Sequence, residues 1–234
     1  MAIALVVFVA AAIQGIMGFG GALVAMPLLV TLVGMQTATP AYAIIGTLAT
    51  LLNAIRWRAH VTLRDLMQLV VPAAVGIPIG VVFLGRMDAV LVTRTLGAIL
   101  IGYALYNLAG WKTPPLHGRR WAVAAGFSSG ILSGAFNTGG PPVIVYADAC
   151  GWTAERFRGN LQTYFVLISG FLLAAHALSG HFTLSVWRTA LIGLPALVAG
   201  QLLGVRLCRY INPLRFRQLV LALLLILGVH LLFF

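Results

Sequence analysis

Acidic side chains are nearly absent from this sequence. Its 234 residues include 4 Asp and Glu against 15 Lys and Arg. Asp65, Asp88, Asp148 and Glu155 all fall near the ends of apolar segments, so no carboxylate relay at membrane depth is expected. Charge of either sign is scarce, at 8%, where a soluble domain carries roughly 25%. So few charges cannot clothe a water-exposed surface, and lipid must cover most of the outside. Cys150 and Cys208 are the 2 cysteines; they make neither a redox pair nor a metal spacing and read as small packing residues. There is no His-Glu-x-x-His, no acid pair within the apolar runs and no serine with an obvious histidine partner. Ser128, Ser129 and Ser133 fit small-residue packing. No catalytic residue, metal ligand or cofactor is expected, which leaves an intramembrane enzyme as the last of the alternatives, behind a transporter and a channel.

Apolar sequence fills the chain instead: 61% of the residues are hydrophobic. The net charge of +11 would suggest nucleic acid in a soluble protein. Here the basic residues sit in short connections between apolar runs, as in membrane proteins, and nucleic acid is not an expected partner. The start, MAIALVVFVAAAIQG, has no basic n-region and runs into a glycine motif, so it reads as mature protein, not as a signal peptide. Six runs are long enough to span or nearly so: 40–55, 66–85, 90–110, 158–179, 184–205 and 214–234. A hydrocarbon core of ~30 Å needs ~20 helical residues. The first run is short, and it is expected to extend into Arg56 and Trp57, with the arginine snorkelling and the tryptophan at the interface.

Two regions, 1–34 and 120–151, are too long for one helix and break near their middles. The first break is Gly15-Ile-Met-Gly18-Phe-Gly20-Gly21; the second is Ser133-Gly134-Ala-Phe-Asn137-Thr138-Gly139-Gly140-Pro141-Pro142. Glycine weakens a helix, and the prolines cannot continue one from upstream. The apolar pieces on either side, ~14 residues or ~21 Å each, pass the midplane without crossing. Each region therefore reads as a pair of half-helices with a loop at membrane depth.

The sequence also repeats. His60-Val-Thr-Leu63 recurs as His181-Phe-Thr-Leu184, and Gly76-x-x-x-Gly80-Val81 as Gly200-x-x-x-Gly204-Val205. Residues 1–112 and 119–234 are thus two versions of one unit, a broken segment followed by three spans. Charge decides their relative orientation. If each broken segment crosses once, the basic residues divide almost evenly between the two sides. If each enters and returns on one side, the loops at 56–64, 112–120, 156–158 and 206–217 share a face. Only Arg86, Arg94 and Arg188 then lie opposite. The second division is what the positive-inside rule demands. The expected fold is an all-α polytopic membrane protein with an inverted-topology repeat, each half a re-entrant helix pair plus three transmembrane helices. Both termini are expected on the non-cytoplasmic side.

The second half-helices should start near Gly20–Gly21 and Gly140–Pro141. A helix start offers unpaired N–H groups and about half a positive charge, and glycine lets an anion approach. Two such tips meeting at the midplane would cradle an anion without a buried cation. Candidate binding residues are Gly18, Gly20, Gly21, Gly139, Gly140 and Pro141, with Asn137, Thr138 and Gln14 as side-chain groups. Thr47, Thr50 and Asn53 share a helix face, and Asn160, Gln162, Thr163 and Tyr164 open the matching helix of the other half. Of these, Asn53 and Gln162 join the candidates. His176 and the mirrored His60 and His181 read as structural.

Gly15-xx-Gly18-Phe-Gly20-Gly21 with Pro27, and Gly130-xxx-Gly134 followed by Thr138-Gly139-Gly140-Pro141-Pro142, resemble the TauE/SafE family. Its members are the sulfite and organosulfonate exporters, also called toluene-sulfonate uptake permeases. The twofold repeat spreads the resemblance over nearly the whole chain. It implies secondary transport, as an exporter, of small sulfur-containing anions such as sulfite or sulfonates across a prokaryotic inner membrane. It places the binding role on Gly18, Gly20, Gly21, Gly139, Gly140 and Pro141. A passive anion channel is the alternative, since both need a polar midplane path. The expected partners are a small organic or inorganic anion and the lipid bilayer; assembly into a homo-oligomer is left open.

Overall fold

The computed structural model describes residues 1–57, 61–110 and 118–233. The expectations placed on Arg58, His60 and Lys112, and on the side chains of Arg56 and Trp57, lie outside the described residues and side chains. Ten helices are described: α1 (Ala2–Met17), α2 (Gly21–Val33), α3 (Met35–Trp57), α4 (Leu63–Arg86), α5 (Ala89–Leu108), α6 (Arg119–Phe136), α7 (Gly140–Ala149), α8 (Ala154–Leu178), α9 (Leu184–Leu207) and α10 (Pro213–Phe233). Six of them, α3–α5 and α8–α10, are long and apolar enough to cross a bilayer. The chain is a multi-pass, all-helical membrane protein.

The other four helices are short for separate reasons. α1 stops at Gly18 (φ +83°) and α2 starts after Gly20 (φ +89°). Both angles lie in the left-handed region, where a side chain would be strained. α6 stops at Asn137, which takes φ +56°; asparagine enters this region more readily than most residues that carry a side chain. The pieces are uneven. α1 and α2 have 16 and 13 residues, α6 and α7 have 18 and 10, so α7 is only ~15 Å long. α3 starts five residues ahead of the expected 40–55 run and carries Pro40 inside it.

Glycines let helices touch backbone to backbone, and their order along each helix gives direction. On α4 and α6, Gly126 meets Leu69, Gly130 meets Ala73 and Gly134 meets Ile77, so the two helices run parallel. On α1 and α9, Phe8 meets Gly200 and Ala12 meets Gly204, again parallel. On α5 and α10 the order reverses: Gly97 meets Gly228 and Leu232, while Asn107 accepts a bond from Arg217. Those two run antiparallel. α3 packs against α8. Exchanging α1–α5 with α6–α10 turns the α4–α6 pair into the α1–α9 pair and the reverse, and maps α5–α10 and α3–α8 each onto itself.

The α8–α9 turn holds a histidine pair, His176 Nδ1 to His181 Nδ1 at 3.0 Å. Such a contact needs at least one neutral ring. Burial pushes the pKa of His181 below the ordinary imidazole value. A depressed value means the pair's stability is fully present above about pH 6.5 and is lost as pH falls through the folded value. Going from pH 7.5 to 5 should lower the melting temperature in detergent, and His181→Asn should shrink that drop by on the order of 3 °C. Equal drops in both proteins would show that the pair contributes nothing.

Candidate anion-binding site

The two breaks meet. Gly20, Gly21, Ala22 and Leu23 from the α1–α2 tip, and Asn137, Thr138 and Gly140 from the α6–α7 tip, line one cavity with Gln14, Tyr42 and Gln162. It holds about 80 Å³, against the ~30 Å³ of a water in the liquid. That is room for a small polyatomic ion. No Lys, Arg, Asp or Glu lines it among the described residues.

The two tips differ chemically. The amides of Gly21, Ala22 and Leu23 form the first turn of α2, and the first intrahelical bond there is Val24 N–H to Gly20 O. These three donors have no intrahelical partner, and they and the positive helix end belong to residues that line the cavity. At α7, Pro141 and Pro142 occupy the first turn and carry no N–H. Among the first three residues of that helix only Gly140 can donate. Side chains make up the deficit: the Thr138 hydroxyl is buried with no protein partner, as is the Tyr42 hydroxyl on α3. Both are poised for a ligand.

Other polar groups are already engaged. Asn137 lines the cavity, but its Nδ2 donates to Thr39 O at 2.6 Å, tying the α6 end to α3. Thr47 and Thr50 donate to their own helix, at Ala43 O (2.6 Å) and Gly46 O (3.0 Å), and show the cavity only lone pairs. Gln162 Nε2 donates to Gly18 O, which leaves its Oε1 as a buried acceptor without a partner. An anion carrying its own O–H satisfies both kinds of group.

The candidates from sequence are therefore not all in one place. Gln14, Gly20, Gly21, Asn137, Thr138, Gly140 and Gln162 share the cavity. Gly18 and Asn53 line a second, wider recess, and Asn53 Oδ1 accepts from Gln201 Nε2 at 2.8 Å. Gly139 is packed against Ser129 and Ser133, and Ser129 Oγ donates to its carbonyl at 2.5 Å. Pro141 lines an apolar groove beside Tyr106 and Trp121. Tyr42 was not among the candidates. The periodic face of Thr50 and Asn53, continued back through Gly46 by turns of four, reaches it.

The family profile described as sulfite exporter TauE/SafE matches residues 3–231. The chain belongs to the TauE/SafE family. None of the curated proteins or solved structures matches the chain closely enough to carry an argument. TauE/SafE is a transporter family, and the six long apolar helices of this member agree with that role. What the cavity of this TauE/SafE chain offers is unpaired hydrogen-bonding groups, donors and acceptors both, with no fixed charge among the described lining residues.

Proposed function

We propose that the chain is a secondary transporter, working as an exporter, of small sulfur-containing oxyanions or sulfonates, and that the anion binds between the α1–α2 and α6–α7 tips. The carrying observation is the cavity itself: three free amides of α2, the Thr138 and Tyr42 hydroxyls and, among the described residues, no charged side chain. An anion held by dipoles alone can leave again, as a carrier requires.

The halves are read as inverted repeats. In that arrangement each half contributes three crossings, and the last helices of the halves, α5 and α10, must run antiparallel. If the broken segments crossed, those two would be parallel. The Gly97–Gly228 and Asn107–Arg217 contacts support the inverted order. The crowded basic loops then face the cytoplasm of a prokaryotic cell, and both termini face away. Phe19 and Ile144 line both the cavity and the wider recess, standing between them. A divided path favours a carrier over an open channel.

Purified protein in proteoliposomes should move sulfite or a small sulfonate and accumulate it against its gradient when a proton or sodium gradient is imposed. No movement of any anion across a panel of oxyanions and sulfonates would refute the proposal. Flux that only ever collapses the gradient would replace the carrier by a channel.

A further inference from the structure

We infer that the wide recess beside the cavity is an entry site that gathers a small oxyanion before it passes Phe19 and Ile144, with Arg158 and Arg217 as its cations. The inference rests on the reading of the chain as an anion transporter. The recess has about 520 Å³ and is lined by Gly18, Asn53, Asp148, Arg158, Cys208 and Arg217, among others. That is several times the volume of the midplane cavity, enough for a partly hydrated anion. Asp148 is its one acid among the described lining residues, against the two guanidinium charges. A concave, low-dielectric wall concentrates that field.

Snorkelling explains many arginines near a membrane surface, but these two are placed. Arg217 Nη2 donates to Asn107 Oδ1 at 2.6 Å, and Asn107 Nδ2 in turn donates to Tyr103 O at 2.8 Å. A side chain reaching freely for water needs no such brace. Arg158 lies against the first tip, its Cγ 3.9 Å from where a side chain on Gly18 would begin. It also leads inward. Arg158, Gln162, Phe165 and Ser169 follow at four-, three- and four-residue steps along one face of α8. The first lines the recess and the other three the cavity. On α3, Asn53 in the recess precedes Thr50, Gly46 and Tyr42 in the cavity in the same way. The two polar faces join the recess to the binding tips.

Cys208 lies in the recess, so its labelling reads the local potential without any transport. In a Cys150→Ser background it is the only thiol. A negatively charged thiosulfonate reagent should modify it faster than a neutral one of equal size, after correction for their rates on a free thiol. Arg158→Gln and Arg217→Gln should each cut that ratio by about threefold at low salt, and the effect should fade above ~0.1 M salt. Arg217→Lys should keep the ratio and Asp148→Asn should raise it. Methanesulfonate should protect the thiol in the parent and less in the glutamine variants. Neutral-reagent rates equal to the parent's identify the variants that are folded. A ratio indifferent to both arginine charges, or an absence of protection by methanesulfonate, would overturn the entry site. A chain that moves no anion in proteoliposomes yet shows these ratios would instead overturn the transport reading alone.

Discussion

Tyr42→Phe and Thr138→Val are each expected to weaken anion binding by about ten- to a hundredfold while the protein melts no lower than before. Both hydroxyls are buried, with 3% and 1% of their residues' surface exposed, and neither has a partner in the protein. A hydrogen bond to a charged group contributes about 1.5–3 kcal/mol, and each 1.4 kcal/mol is about tenfold in affinity. The same hydroxyls give the empty fold nothing, because a buried donor without an acceptor is a liability. Function and stability therefore separate in one experiment: half-saturating concentration in proteoliposomes against melting in detergent. If Tyr42→Phe lowered melting and left binding untouched, the hydroxyl would be structural and the cavity would lose its α3 donor.

Gly139→Ala should be far more damaging than Gly140→Ala, although the glycines are adjacent. A Cβ on Gly139 would meet the Ser129 carbonyl oxygen at 2.5 Å and Ser129 Oγ at 2.8 Å. The carbonyl is helix backbone and cannot yield, so the α7 start must shift, at about 1–3 kcal/mol for overpacking. The shift also disturbs a chain of bonds, Tyr164 Oη to Ser129 Oγ at 2.8 Å and Ser129 Oγ to Gly139 O at 2.5 Å. With Thr138 displaced, transport should fall by about tenfold or more. A Cβ on Gly140 would sit 3.6 Å from Ile144 and 3.8 Å from Phe165, ordinary contact distances. Gly140→Ala should melt normally and transport with a modest loss, and a bulky side chain there should fill the cavity and stop transport. Equal behaviour of the two alanine variants would mean that the tip is not held against α6 as described.

Particular residues show what was legible in the sequence. The helix breaks were, because Gly18, Gly20 and Pro141-Pro142 impose local constraints that need no tertiary context. The glycine pairs at Gly76–Gly80 and Gly200–Gly204 were too, since close helix contact requires them; their partners on α6 and α1 were not. The unequal chemistry of the tips follows from the prolines' missing N–H, yet glycine starts in both halves suggested equivalence. Asn137 looked like a free donor, and only the fold shows its amide spent on Thr39, 98 residues away. Tyr42 hid in an apolar run because its value lies in having no partner. Arg158 and Arg217 counted as loop charges for orientation, and their convergence on one recess depends on how α8 and α10 pack.

The account stands on two tips dipping toward each other from opposite faces of the bilayer. In a background with Cys150→Ser and Cys208→Ser, Gln36→Cys and Tyr210→Cys place a thiol at the α2–α3 junction and in the α9–α10 loop, both exposed positions. Labelling intact cells and then opened ones with a membrane-impermeant maleimide should find them on opposite faces, with position 36 outside. Both thiols reacting from the same face would mean that the broken segments cross the membrane, and the shared anion cavity would have to be abandoned.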